Sequence, residues 1–148
     1  MSIAEKVEAD LIAALKAHDE AVVSCLRLIK NALKNKAKDL RRPLAGEEEI
    51  QVLKTLAKQR RESVEQFTSG GRADLAAKEA AELKLVEAYL PAQLGEAEIA
   101  AALAEVIAEI QPQGPKDMGK VMKTAMARLG TAADGKLVNA LVRKKLGA

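Results

Sequence analysis

From Ile3 onward the apolar side chains recur at three- and four-residue steps, and nowhere does the chain alternate apolar and polar residues long enough to make a strand. That periodicity restricts the chain to packed helices. The supply of large side chains restricts it further: Phe67 and Tyr89 are the two aromatic residues, and there is no tryptophan. Ala, Leu, Glu and Lys dominate. These residues lose little side-chain entropy on becoming helical. The expected fold class is therefore all-α. A chain of 148 residues suffices for one ordinary domain or two very small ones.

Punctuation places the helices. Ser2 and Glu5 have capping-box spacing, and Ile3, Val7, Leu11 and Leu15 step along one face of a first helix ending near Ala17. His18 and Asp19 turn, with Asp19 as N-cap of a second helix carrying Val22, Leu26, Ile29 and Leu33 inward to about Leu40. Arg41, Arg42 and Pro43 end it. Gly46 and the acids Glu47, Glu48 and Glu49 open a third, where negative charge complements the helix dipole. Its stripe is Ile50, Leu53, Ala57, Val64 and Phe67, and Ser69-Gly70-Gly71 breaks it. A fourth runs from about Asp74 to Pro91. The stretch 91–95 is the expected boundary, giving an N-terminal helical bundle of about four helices over 1–92 and a smaller three-helix unit over 93–148. In the second unit the helices begin at Glu96, Asp117 and Asp134, the last two acids read as N-caps.

Charge is segregated along the chain. Residues 27–42 hold seven Lys or Arg against Asp39, and residues 116–148 hold eight against Asp117 and Asp134. Each window therefore carries +6, and the rest of a chain of net charge +3 carries −9. Contact with a polyanion and a solvated helix face both fit this pattern. With so few aromatic residues, stacking on unpaired bases is not open to the chain, so a nucleic acid would be held by backbone and shape, as a folded RNA is. The candidate RNA contacts are Lys120, Lys123, Lys136, Arg143 and Lys144 with Gly119 and Gly135. A secondary basic face comprises Arg27, Lys30, Lys34 and Lys38.

Two segments, Gly114–Val121 and Gly130–Leu137, read G-x-x-x-x-G-K followed by Val or Leu. A nucleotide-binding loop needs a hydroxyl at that last position and a preceding strand, and both are absent. Each segment instead places Asp, then Gly-Lys, then an apolar residue at a helix start. Glycine in a first turn costs about 1 kcal/mol relative to alanine. Close packing of another helix against bare backbone would explain it. So would close approach of an anion to the helix N-terminus.

Catalytic groups are sparse. Cys25 sits on an apolar stripe and reads as a small buried hydrophobe; no disulfide within the chain is possible with one cysteine. One His and one Cys cannot build a typical zinc site, and the serines lack a nearby histidine. No catalytic residue, metal or cofactor is expected. Nor is a membrane span, since no apolar run is long enough. The first 16 residues read as an acidic amphipathic helix, not a signal peptide, which predicts a cytoplasmic protein.

The segments Asp117–Met122 (DMGKVM) and Ala133–Asn139 (ADGKLVN), with the upstream Tyr89–Leu94 (YLPAQL), resemble the GatB/YqeY family. Arg27–Leu33 (RLIKNAL) and Phe67–Leu75 (F-x-x-G-G-R-x-D-L) are similar to its stand-alone YqeY branch. The resemblance runs in order over essentially the whole chain. It implies an all-α protein and a likeness to the tail of the B subunit of the Glu-tRNA/Asp-tRNA amidotransferase, a module that helps hold tRNA. It also implies an association with glutamine-dependent carbon–nitrogen ligases, whose chemistry lies in a domain absent here. On that basis the expected partner is tRNA or another folded RNA. The alternative is an adaptor docking on an amidotransferase or another translation enzyme. One departure stands out: the family often shows Gly-Arg-Ala-Asp-Gly-Lys where this chain has Thr131 to Lys136 without the arginine, whose bidentate grip on phosphate is lost. That loss favours packing as the reason for Gly135.

Overall fold

The computed structural model describes residues 1–147, which form seven α-helices and two short 3-10 turns. No strand occurs among the described residues. The chain divides into two compact units, one of Met1–Leu90 and one from Pro91 onward.

In the first unit, α1 (Ile3–Lys16) opens with a true capping box: Glu5 N donates to Ser2 Oγ at 3.1 Å, and Ser2 N donates to the Glu5 carboxylate at 2.8 Å. His18 takes a left-handed conformation in the turn, and the Asp19 carboxylate then caps α2 (Glu20–Leu40) by accepting from Val22 N. A left-handed Arg41 ends α2. The Arg42 guanidinium grips the Glu48 carboxylate at 2.6 and 2.8 Å across the link into α3 (Gly46–Ser69). Glu48 also accepts from Ala45 N, and together these donors hold its carboxyl down to about 2. Gly71, with φ of 73°, makes the turn into α4 (Ala73–Glu87).

The core of this unit gathers Val7 and Leu11 from α1, Leu26, Ile29 and Leu33 from α2, Leu53 and Ala57 from α3, and Val86 from α4. Each fully buried aliphatic side chain contributes about 1.5–3 kcal/mol. Two expectations about its faces are corrected. Leu15 is 44% exposed and Ala14 takes the buried place. Steps of four residues overshoot a 3.6-residue turn, so by Leu15 the row that began at Ile3 has rotated off the core. The run of acids opening α3 also does more than complement a dipole. Glu49 is 4% exposed, and its carboxylate accepts from Ala4 N at 2.8 Å, satisfying one of the amides that the first turn of α1 leaves open. Between α3 and α4, Arg60 meets Glu82 at 3.0 Å and Glu79 at 3.5 Å.

The second unit packs α5 (Glu96–Ile110), α6 (Met118–Leu129) and α7 (Gly135–Leu146) around Ile99, Leu103, Val106, Val121, Ala125, Ala133, Val138 and Val142. Its entrance is tied to its far end. Leu94 N donates to Ala132 O at 2.7 Å, and Gln93 Nε2 donates to Thr131 O at 3.2 Å, so the chain entering α5 clamps the connection between α6 and α7.

Candidate functional site

Charge in the second unit is sorted by helix. α5 carries Glu96, Glu98, Glu105 and Glu109 and no cation; α6 and α7 carry only cations. In α6 the buried positions are Val121 and Ala125, and at 100° per residue Lys120 and Lys123 fall on the opposite side, both exposed. In α7 the buried positions are Val138 and Val142. Lys136 and Arg143, seven residues apart, share an exposed outer stripe, with Lys144 beside it. Arg128 is already engaged: its guanidinium holds Glu109 of α5 at 3.2 and 2.7 Å and keeps that carboxyl below its ordinary range.

The two glycine-lysine helix starts differ on inspection. Asp117 does not cap α6. Its carboxylate turns back to accept from Gln113 N at 2.8 Å, bracing the loop before the 3-10 turn Pro115–Asp117, and α6 begins with no side-chain cap. Asp134 does cap α7, accepting from Lys136 N at 3.0 Å, so that helix start already faces a carboxylate.

Packing does not account for the glycines. A Cβ placed on Gly119 would meet nothing within 4 Å, and one on Gly135 would meet only the end of the Met126 side chain at 4.0 Å. Neither has a positive φ, so backbone conformation does not require glycine there either. The expectation of a helix pressed against bare backbone is thus corrected: the space over both helix starts is open. The two starts also do not converge. Lys120 lies in the first turn of α6, whereas α7 opens near Met126 toward the other end of that helix, about 10 Å along its axis. They do not form one pocket.

The secondary basic face is less available than its sequence implies. Lys30 Nζ lies 2.6 Å from the Glu8 carboxylate of α1, and Arg42 is held by Glu48. Arg27, Lys34 and Lys38 are exposed on α2. Cys25 is 1% exposed, and burial, reinforced by the nearby Glu82 carboxylate, pushes its thiol up to about 11. At neutral pH it is a protonated, unreactive part of the core. No trio of His, Cys, Asp or Glu among the described residues could hold a metal ion. No helix among them is long and apolar enough to cross a membrane.

Sequence reasoning missed the work of Gln93 and Leu94. They stand inside the YLPAQL segment, whose composition marks only a boundary; its far end holds Thr131 and Ala132, just before the ADGKLVN segment. The segment in fact serves both sides, since the Tyr89 hydroxyl donates to the Asp10 carboxylate of α1 in the first unit.

Comparison with known proteins places these features. The sequence model for the Yqey-like protein family matches residues 4–146. Two fungal proteins named altered inheritance of mitochondria protein 41, mitochondrial, are similar. That of Eremothecium gossypii is 37% identical over 84 residues, 56% of this chain and 46% of its own length. That of Pyrenophora tritici-repentis is 24% identical over 147 residues, 97% of this chain and 80% of its own length. A glutamyl-tRNA(Gln) amidotransferase polypeptide of Thermococcus sibiricus is 44% identical over 57 residues, 36% of this chain but 9% of its own length. The chain thus spans under half of the first fungal relative and a small part of the amidotransferase polypeptide.

Proposed function

We propose that this chain, which belongs to the family of YqeY-like proteins, is an accessory module that binds tRNA or another folded RNA through the outer faces of α6 and α7. The observation that carries the reading is the pairing of two cation-only helices with glycines at open helix starts. Phosphates approaching such a surface release counterions from lysine and arginine. The start of α6 is the more open of the two, because the Asp117 carboxylate turns back to Gln113 N whereas the Asp134 carboxylate sits on Lys136 N. Likeness to part of a glutamyl-tRNA(Gln) amidotransferase supports a role beside that class of carbon–nitrogen ligase. In this reading the chain's own part is to hold RNA. The work belongs to a compartment where translation runs: the cytosol expected from the sequence, or the mitochondrion that the fungal names specify.

The test is tRNA binding by the purified protein across a salt series, for the native chain and for Lys120→Glu, Lys136→Glu and their combination. Native binding should weaken as salt rises. The double variant should flatten the slope of log K against log salt by about two, with Lys120→Glu the more damaging single change. Absence of binding at low salt, or a slope unmoved by the double variant, would sink the reading. Adaptor action on a translation protein would then be favoured, tested by retention of the partner after ribonuclease treatment.

A further inference from the structure

The last two residues of the YLPAQL segment form a strap across the second unit. The Gln93 carboxamide has two N–H donors, and both are used. Its Nε2 donates to Pro91 O at 3.1 Å, which folds the side chain back along its own chain, and to Thr131 O at 3.2 Å. The next residue repeats the contact through the main chain: Leu94 N donates to Ala132 O at 2.7 Å, and the Leu94 side chain packs on the core of the unit. Thr131 and Ala132 end a 3-10 turn, and Ala133 then takes extended backbone, with φ of −119° and ψ of 142°. The helical pattern that would return amides to these carbonyls stops there, and the strap supplies donors in its place.

The strapped connection joins the two cation-bearing helices. Gly130, with φ of 60°, ends α6, and Asp134 caps α7 by accepting from Lys136 N at 3.0 Å. Whatever fixes Thr131 and Ala132 therefore fixes where the first turn of α7, and Lys136 in it, stands relative to Lys120 and Lys123 of α6. A folded RNA presents its phosphates at set spacings. Cations on two helices neutralise them together only when the helices hold a matching spacing, and freedom at the joint costs affinity. Building on the RNA-binding reading of α6 and α7, we propose that Gln93, with Leu94, is a positioning residue for RNA. It acts through the connection, holding the Lys136 end of α7 in place against the Lys120 and Lys123 side of α6.

Gln93→Met keeps the length of an exposed side chain and removes its donors, and it is compared with the native chain at full length. Amide hydrogen exchange in the free protein reads the strap itself. Exchange should quicken by about fivefold at Leu94 and at Val138, whose amide bonds Asp134 O at the start of α7, and should not move at Val106 in α5. Titration with unfractionated tRNA reads the consequence, a loss of affinity of about threefold. The same change is then made in the Lys120→Ala and Lys136→Ala backgrounds. With Lys120→Ala the loss should persist. With Lys136→Ala most of it should vanish, because misplacing the start of α7 costs nothing once its lysine is gone. A general loss of stability would weaken binding alike in both. Absence of tRNA binding by the native chain would overturn the RNA reading and this role with it. Native binding that Gln93→Met leaves unchanged, or weakens equally in the two backgrounds, would overturn the positioning role alone. Unmoved exchange at Leu94 and Val138 would overturn it whatever the RNA does.

Discussion

The two units carry windows of equal charge, +6 in each, yet they arrange it differently. In the first unit every helix mixes signs, and cations are spent on neighbours: Lys30 on Glu8, Arg42 on Glu48, Arg60 on Glu79 and Glu82, Arg61 on Glu87. In the second unit acids are confined to α5 and cations to α6 and α7, with Arg128 and Glu109 joining the two sets. Net charge read in windows does not distinguish these cases. The field felt by an approaching polyanion does, because an ion pair within a few ångströms cancels most of what either partner projects. The second unit sorts its signs by helix, with exposed acids on α5 and exposed cations on α6 and α7, whereas the first mixes them on every helix.

The largest effects should come from the cores, which also tell whether the units melt as one. Leu53→Ala in the first unit and Leu103→Ala in the second should each cost about 2–5 kcal/mol, read by urea denaturation. If the units are energetically separate, Leu103→Ala should advance only the part of the helical signal that belongs to α5–α7. A single shared transition shifted by both variants would show that they unfold together. Next, paired charge reversals compare the surfaces directly. Lys120→Glu with Lys123→Glu should weaken tRNA binding by tenfold or more, about 1.4 kcal/mol. Arg27→Glu with Lys34→Glu should weaken it by about threefold at most, through long-range field alone. Equal losses would mean that charge sorting in the second unit has no bearing on binding.

A smaller effect should follow at Glu49. Glu49→Ala strands the Ala4 amide and should cost about 1–3 kcal/mol, while Glu49→Gln, which keeps an acceptor, should cost less. Thermal melts of both variants check the order. Smaller still, Gly119→Ala and Gly135→Ala should each stabilise the fold by about 0.4–1 kcal/mol, because the space is open and the backbone is ordinary. Gly119→Ala should at the same time lower RNA affinity, and a variant both more stable and equally tight would remove the reason offered for the glycine. At the link between α2 and α3, the Glu48 carboxyl titrates near 2 when folded against 4.5 ordinarily. A depressed folded value means that its contribution is present above pH 4.5 and is lost as pH falls toward 2. Arg42→Gln should raise the carboxyl's titration point in an NMR pH series; no movement would show that Arg42 is not what holds it down.

Much of the architecture could be read from the residues. Most helix ends lie at or near their punctuation: the Ser2 and Asp19 caps, Pro43, Gly70-Gly71, Pro91, the Asp134 cap. These are local signals, decided by the chain within a turn of itself. Faces were legible where steps of four and three alternate, as in α5, and slipped where every step was four, as at Leu15. The cationic residues of the candidate surface were legible as a set, but whether each was available was not: Lys30 and Arg128 look like their neighbours in sequence and differ by a carboxylate from another helix.

The sequence by itself thus determined that this chain is helical, where its helices start and stop, and that its cations cluster in two windows, because each of these depends on spacing along the chain. Tertiary structure alone decided that Glu49 caps a helix far from it in sequence, that Gln93 clamps the loop before α7, and that Gly119 and Gly135 face open space. Those outcomes depend on which side chain comes within hydrogen-bonding reach once distant helices pack, and that distance is set by the fold, not by the spacing.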